Sequence, residues 1–124
     1  MKILITTTSF IDTPGKHQEK LYSLGYEIDT LRGPLKDNVL IPIIGNYDGL
    51  ICGDDEINED VIKRGREGKL KVISKYGIGL DKIDLEAAKN YGLTVSNTPG
   101  VNHIAVSEHI LALILAYYKN IHLE

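Results

Sequence analysis

The chain has one cysteine, Cys52, no tryptophan and one phenylalanine. A lone cysteine rules out an internal disulfide framework or a cysteine zinc site, and it suits a reducing compartment, so a cytoplasmic location is expected. The four histidines, His17, His103, His109 and His122, show no metal-ligand spacing, and no metal is expected. Charge of neither sign dominates: 14 Lys and Arg stand against 17 Asp and Glu, a net charge of −3. The densest basic cluster, Lys63, Arg64, Arg66, Lys69 and Lys71, is interrupted by Glu67 and reads as a solvated helix end, so no nucleic-acid partner is expected. Long hydrophobic runs are also missing. The longest, "ILALILAYY" from Ile110 to Tyr118, falls well below the roughly 20 residues that span a bilayer. The opening "MKILITTTSF" is too short in its apolar part and too rich in threonine for a signal peptide, and no membrane partner is expected.

What the chain does have is alternation. Its 124 residues suffice for one domain with a real core. Short β-branched runs at residues 2–8, 26–31, 48–52, 70–74 and 93–97 read as strands. Between them, residues 17–24, 36–44, 58–66 and 85–91 read as helices. Pro42 should end or kink the second of these, and Asn58 and Asp84 are natural caps for the third and fourth. A fifth and longer helix is expected from Ile104 to Ile121. Strand–helix units in this order predict an α/β fold: a flavodoxin-like, doubly wound, five-stranded parallel sheet with helices on both faces. Function in such a sheet gathers at the carboxyl ends of the strands, hence in the loops at residues 8–14, 53–58, 75–82 and 98–103. The last helix shows almost no polar stripe across two turns, unlike a helix that covers one sheet face. It is expected to contact something outside this domain.

The loop after the fourth strand, "KYGIGLDK", looks at first like a dinucleotide fingerprint. Gly77 and Gly79 supply the first two glycines, but Lys82 occupies the third position, and Ser96-Asn97-Thr98 stand where an acidic residue should hold the ribose. A Walker loop is absent too. Two readings remain. The glycines could form a nest of N–H groups that binds a carboxylate, or a tight strand-to-helix turn without a ligand. A receiver-type phosphoacceptor site at Asp54-Asp55-Glu56 would need an acidic pair after strand one, where Thr7-Thr8-Ser9 stand instead. A flavin site would need ring-stacking residues after strand three, where the chain offers Gly53-Asp54-Asp55-Glu56.

From Val72 to Asn120 the chain carries an ordered string: a basic residue, G-x-G-x-D-x-I-D-x-x-A-A, then V-x-N-x-P, then N-x-x-x-V-S-E-H. This string resembles the D-isomer-specific 2-hydroxyacid dehydrogenases, a family that includes phosphoglycerate dehydrogenase, hydroxypyruvate and glyoxylate reductases, D-lactate dehydrogenase and formate dehydrogenase. The resemblance implies an oxidoreductase parent that moves a hydride between NAD and a small 2-hydroxy or 2-oxo acid. It implies that Gly77, Ile78 and Gly79 present N–H groups to the substrate carboxylate and that Lys75 and Tyr76 shape the pocket. By the same resemblance, Asn102 lies near the substrate and Val106 touches the nicotinamide side of the cofactor.

That family places its dinucleotide loop and its catalytic arginine, acid and histidine after the long helix, so no catalytic residue is expected in this chain. The expected organisation is a substrate-binding domain over residues 1–103, a helix over 104–122 that crosses to an NAD-binding domain, and Leu123-Glu124 as the scar of an expression tag. The isolated lobe is then expected to be inactive and to bind no cofactor tightly. The apolar helix is expected either to fold back on the sheet or to pair with a second copy as a homodimer. Cys52 stands where phosphoglycerate enzymes carry a phosphate-holding arginine, and Lys75 where they usually carry another, so a phosphorylated substrate is not expected. The alternative is a freestanding flavodoxin-like binding or assembly module.

Overall fold

In the computed structural model the described residues are 1–123; Glu124 and the side chain of His122 lie outside them, and with Glu124 half of the expected tag scar. Five parallel strands form one sheet: β1 (Lys2–Ile5), β2 (Glu27–Thr30), β3 (Gly49–Cys52), β4 (Val72–Lys75) and β5 (Thr94–Ser96). Their order is β2-β1-β3-β4-β5, the flavodoxin-like arrangement. Ile3 pairs with both Ile28 and Gly49, and Leu50 with Ile73, which aligns all the carboxyl ends on one edge.

The first strand is shorter than residues 2–8. It ends at Ile5, and a short helix, α1 (Thr8–Asp12), begins three residues later. The β-branched threonines hid that turn, because their strand propensity continues past the last ladder bond. The helix α2 (Lys16–Tyr22) follows. Next, α3 (Asp37–Leu40) ends before Pro42, as the missing N–H requires. Asn58 caps α4 (Glu59–Glu67) by accepting the Val61 N–H at 3.1 Å, and Asp84 caps α5 (Leu85–Asn90) by accepting the Ala87 N–H at 2.9 Å.

Strand alternation divides the core in two. On one face Leu4, Leu50, Cys52 and Ile73 pack with Leu40, Val61, Ile62 and Ala88 from α3, α4 and α5. On the other, Ile3 and Ile5 pack with Phe10 of α1 and, at its margin, Leu21 of α2. Helices therefore cover both faces. The second face is covered over β1 and β2, but Thr94 and Ser96 of β5 remain exposed on it.

The long helix α6 (His103–Tyr118) starts and ends close to expectation, but it does not fold back on the sheet. None of its residues is buried, and all are exposed except half-buried Ala116. The expected fold-back is corrected for a physical reason. The open part of the sheet presents Ser74, Thr94 and Ser96 around a single half-buried Val72, a mostly polar seat that gives an apolar helix less to gain.

Candidate functional site

The loops at the carboxyl ends of β1, β3 and β4, with the Gly33-Pro34 turn after β2, enclose a cavity of 270 Å³. Its lining runs from Thr6 to Ser9, through Gly33, Pro34, Gly53 and Asp54, to Lys75, Tyr76, Gly77, Ile78 and Gly79. Five sequence-predicted residues, Lys75 to Gly79, thus meet in one cavity. Asn102 and Val106 do not line it: Asn102 precedes α6 and Val106 lies on that exposed helix.

The loop after β4 is held from both sides. The Gly77 carbonyl accepts the Thr98 N–H at 2.9 Å, and the Ile78 carbonyl accepts from Asn97 Nδ2 at 2.8 Å. Gly77 has φ +149°, a conformation L side chains rarely adopt, and a Cβ there would come within 3.3 Å of Lys75 Cε. Its own N–H is already given to the Lys75 carbonyl at 3.0 Å. The N–H groups of Ile78 and Gly79 have no partner among the described residues. The loop thus offers two open donors, not three.

Lys75 is buried, with 6% of its side chain exposed. Its ammonium donates to the Gly53 carbonyl and to Asp54 Oδ1, both at 2.6 Å. Asp54 is 82% exposed, and the Lys75 ammonium bonded to it holds its carboxyl below the usual range. Tyr76 stands edge-on to Phe10 at 5.6 Å and stacks near His17 at 6.3 Å, forming an aromatic wall beside the glycines.

Beneath this floor lies Asp55, fully buried. It accepts the Thr6 hydroxyl at 2.5 Å, the Leu35 N–H at 2.6 Å and the Gly53 N–H at 3.1 Å. A Cβ on Gly33 would meet Asp55 Oδ1 at 2.7 Å and the Thr6 carbonyl at 2.8 Å, so only glycine allows this approach. Asp55 therefore ties the loops after β1, β2 and β3 together. Sequence reasoning weighed Asp54 and Asp55 only as phosphoacceptor candidates. The signal it could have used was the carboxylate pair at a strand's carboxyl end; that Asp54 alone of the two meets Lys75 is a tertiary fact.

The glycine loop does not fit a dinucleotide. From Gly79 the chain continues through Leu80 and Asp81 and makes an isolated bridge at Ile83 to Ile57 before α5 opens at Leu85. No helix start stands behind the two glycines to receive a pyrophosphate.

The sequence profile of the D-isomer specific 2-hydroxyacid dehydrogenase, catalytic domain, matches residues 5–117. The chain belongs to this family. The D-3-phosphoglycerate dehydrogenase of Synechocystis is 34% identical over 77% of the chain and 17% of its own length. The hydroxypyruvate reductase of Thermotoga maritima is 35% identical over 77% of the chain and 31% of its own length. The NAD+-bound 3-phosphoglycerate dehydrogenase of Entamoeba histolytica superposes with a TM-score of 0.76 at 32% identity, over 94% of this chain and 38% of that one. The chain thus spans less than a third of the length of these two curated D-2-hydroxyacid dehydrogenase relatives.

Proposed function

We propose that this chain is the substrate-binding lobe of an NAD-dependent D-2-hydroxyacid dehydrogenase, and that its cavity holds the carboxylate of a small 2-hydroxy or 2-oxo acid. The observation that carries this reading is the pair of unpartnered N–H groups on Ile78 and Gly79 at the cavity wall. Backbone donors held in a row stabilise an anion without a side-chain charge, and Gly77 and Gly79 allow close approach. Lys75 and Tyr76 wall the site, and Asn102 and Val106 take their places once the full-length protein sets its nucleotide domain against this lobe. The nicotinamide cofactor supplies the hydride acceptor in that parent, and residues 1–103 bind and orient the acid. The chain alone turns nothing over. We assign the parent to the cytoplasm on the reducing environment that a lone cysteine suits. No helix among the described residues is long and apolar enough to cross a membrane.

The exposed apolar face of α6 supports the same reading. Covering one of its half-exposed leucines or isoleucines contributes roughly 1 kcal/mol at about 25 cal/mol per Å², so this face stabilises a contact with the second domain. In the isolated lobe it pairs two copies as a homodimer. Sedimentation should give a dimer, and a monomer at high concentration would refute the pairing.

The carboxylate site is tested by amide NMR on the 15N-labelled chain titrated with D-lactate and with glyoxylate. The Ile78 and Gly79 amide signals should move together and saturate. Shifts confined to other loops would refute the assignment.

A further inference from the structure

The cavity contains two charged lining residues among those described, Lys75 and Asp54, and they are bonded to each other. The lysine is buried and also holds the Gly53 carbonyl, so two of its three donors are spent inside the protein. The aspartate is the exposed member of the pair, lines the cavity and has a second oxygen that Lys75 does not bond. Behind both lies the buried carboxyl group of Asp55. Arg32, on the neighbouring loop, is taken up by a two-bond pair with Asp12 at 2.6 and 2.7 Å. Lys82 acts on Asp54 through its charge only and lines no part of the cavity.

We infer that Asp54 is a specificity-determining residue that makes this cavity reject acids with a second anionic group, above all phosphorylated ones, and accept a single carboxylate with a short neutral or hydroxylated tail. This rests on the carboxylate reading of Ile78 and Gly79. Recognition of a phosphate dianion calls for cations free to bond it, best with the planar fork of arginine. Among the described residues the one lining cation is already neutralised, and the group left facing the ligand is an anion. A hydroxyl on the tail instead finds acceptors and donors in Asp54 and in Thr7, Thr8 and Ser9. The site chemistry therefore separates this chain from relatives named for a phosphorylated substrate.

The test uses two ligands that differ only in the phosphate, D-glycerate and D-3-phosphoglycerate, titrated separately into the 15N-labelled chain while the Ile78 and Gly79 amides are followed. D-Glycerate should bind at least about tenfold more tightly than D-3-phosphoglycerate. Asp54→Asn and Asp54→Ser, at a largely exposed position, should each shrink that ratio by a factor of several, because the anion facing the ligand is removed and the Lys75 charge is no longer neutralised. Equal affinity of the wild type for both acids, or an unchanged ratio in both variants, overturns the inference while leaving the carboxylate site intact. If neither acid moves the two amides, the carboxylate reading falls, and the role of Asp54 with it.

Discussion

Replacing Asp55 is the sharpest test of how the site is built. Its carboxyl group is fully buried and accepts from the Thr6 hydroxyl, the Leu35 N–H and the Gly53 N–H. Asp55→Ala leaves these three donors without that acceptor. A buried donor left unpaired costs about 1–3 kcal/mol. The Thr6 hydroxyl can turn to the Ile51 carbonyl, which already lies at 3.3 Å, and the Leu35 and Gly53 amides are only part-buried, so water can reach them. The lower end of the range then applies, and the expected loss is about 2–4 kcal/mol, a large share of the roughly 5–15 kcal/mol that holds a domain of this size. Asp55→Asn keeps an acceptor for Leu35 and lets the Thr6 hydroxyl accept from the new NH2, so only the Gly53 N–H is stranded. Its cost should be about 1–2 kcal/mol. Urea unfolding at neutral pH, followed by far-ultraviolet circular dichroism, reads both values as midpoint shifts at constant slope. An alanine variant within about 0.5 kcal/mol of wild type, or an asparagine variant worse than alanine, would refute this account of the loop junction.

Three further outcomes are expected. Gly68→Ala should destabilise by about 2 kcal/mol or more, because its Cβ would lie 2.5 Å from Gly45 Cα and 2.7 Å from its carbonyl carbon; an unchanged urea midpoint would show that the α4–β4 turn can move aside. The buried Cys52 thiol, pushed up to about 12 chiefly by burial, should resist a disulfide reagent at pH 8 in the native chain and react at once in urea. Asp48, whose carboxyl accepts the Lys2 N–H and pairs with Lys71, and Asp54, bonded to Lys75, both titrate below the usual 3.8 in the folded chain. A depressed folded value contributes stability above the unfolded value and loses it as pH falls through the folded one, so stability should drop below about pH 4, and Asp48→Asn should flatten that acid limb.

Much of the fold was legible in order and kind. The strands at β2, β3, β4 and β5, the caps at Asn58 and Asp84 and the early end of α3 before Pro42 all rest on local chemistry that a single segment carries. The turn after Ile5 was not legible, since threonines favour extended backbone whether or not a ladder partner exists. Within the site, Gly77, Ile78 and Gly79 could be named because glycine spacing is a backbone signal. That the Gly77 N–H is already spent, leaving two donors, depends on a turn geometry that spacing does not specify.

The sequence by itself determined the alternating strands and helices, the failure of the dinucleotide fingerprint at Lys82 and the apolar character of the last helix. Those follow from periodicity and residue type, which are local. The tertiary structure alone decided that Lys75 and Asp54, 21 positions apart, neutralise each other, and that Asp55 joins three loops through Thr6, Gly53 and Leu35. It also decided that α6 leaves the sheet, because the open edge of that face is polar. The physical reason is the same in each case. Pairing and burial depend on which strand ends the parallel sheet brings to one edge, and that neighbour relation is set by topology, not by distance along the chain.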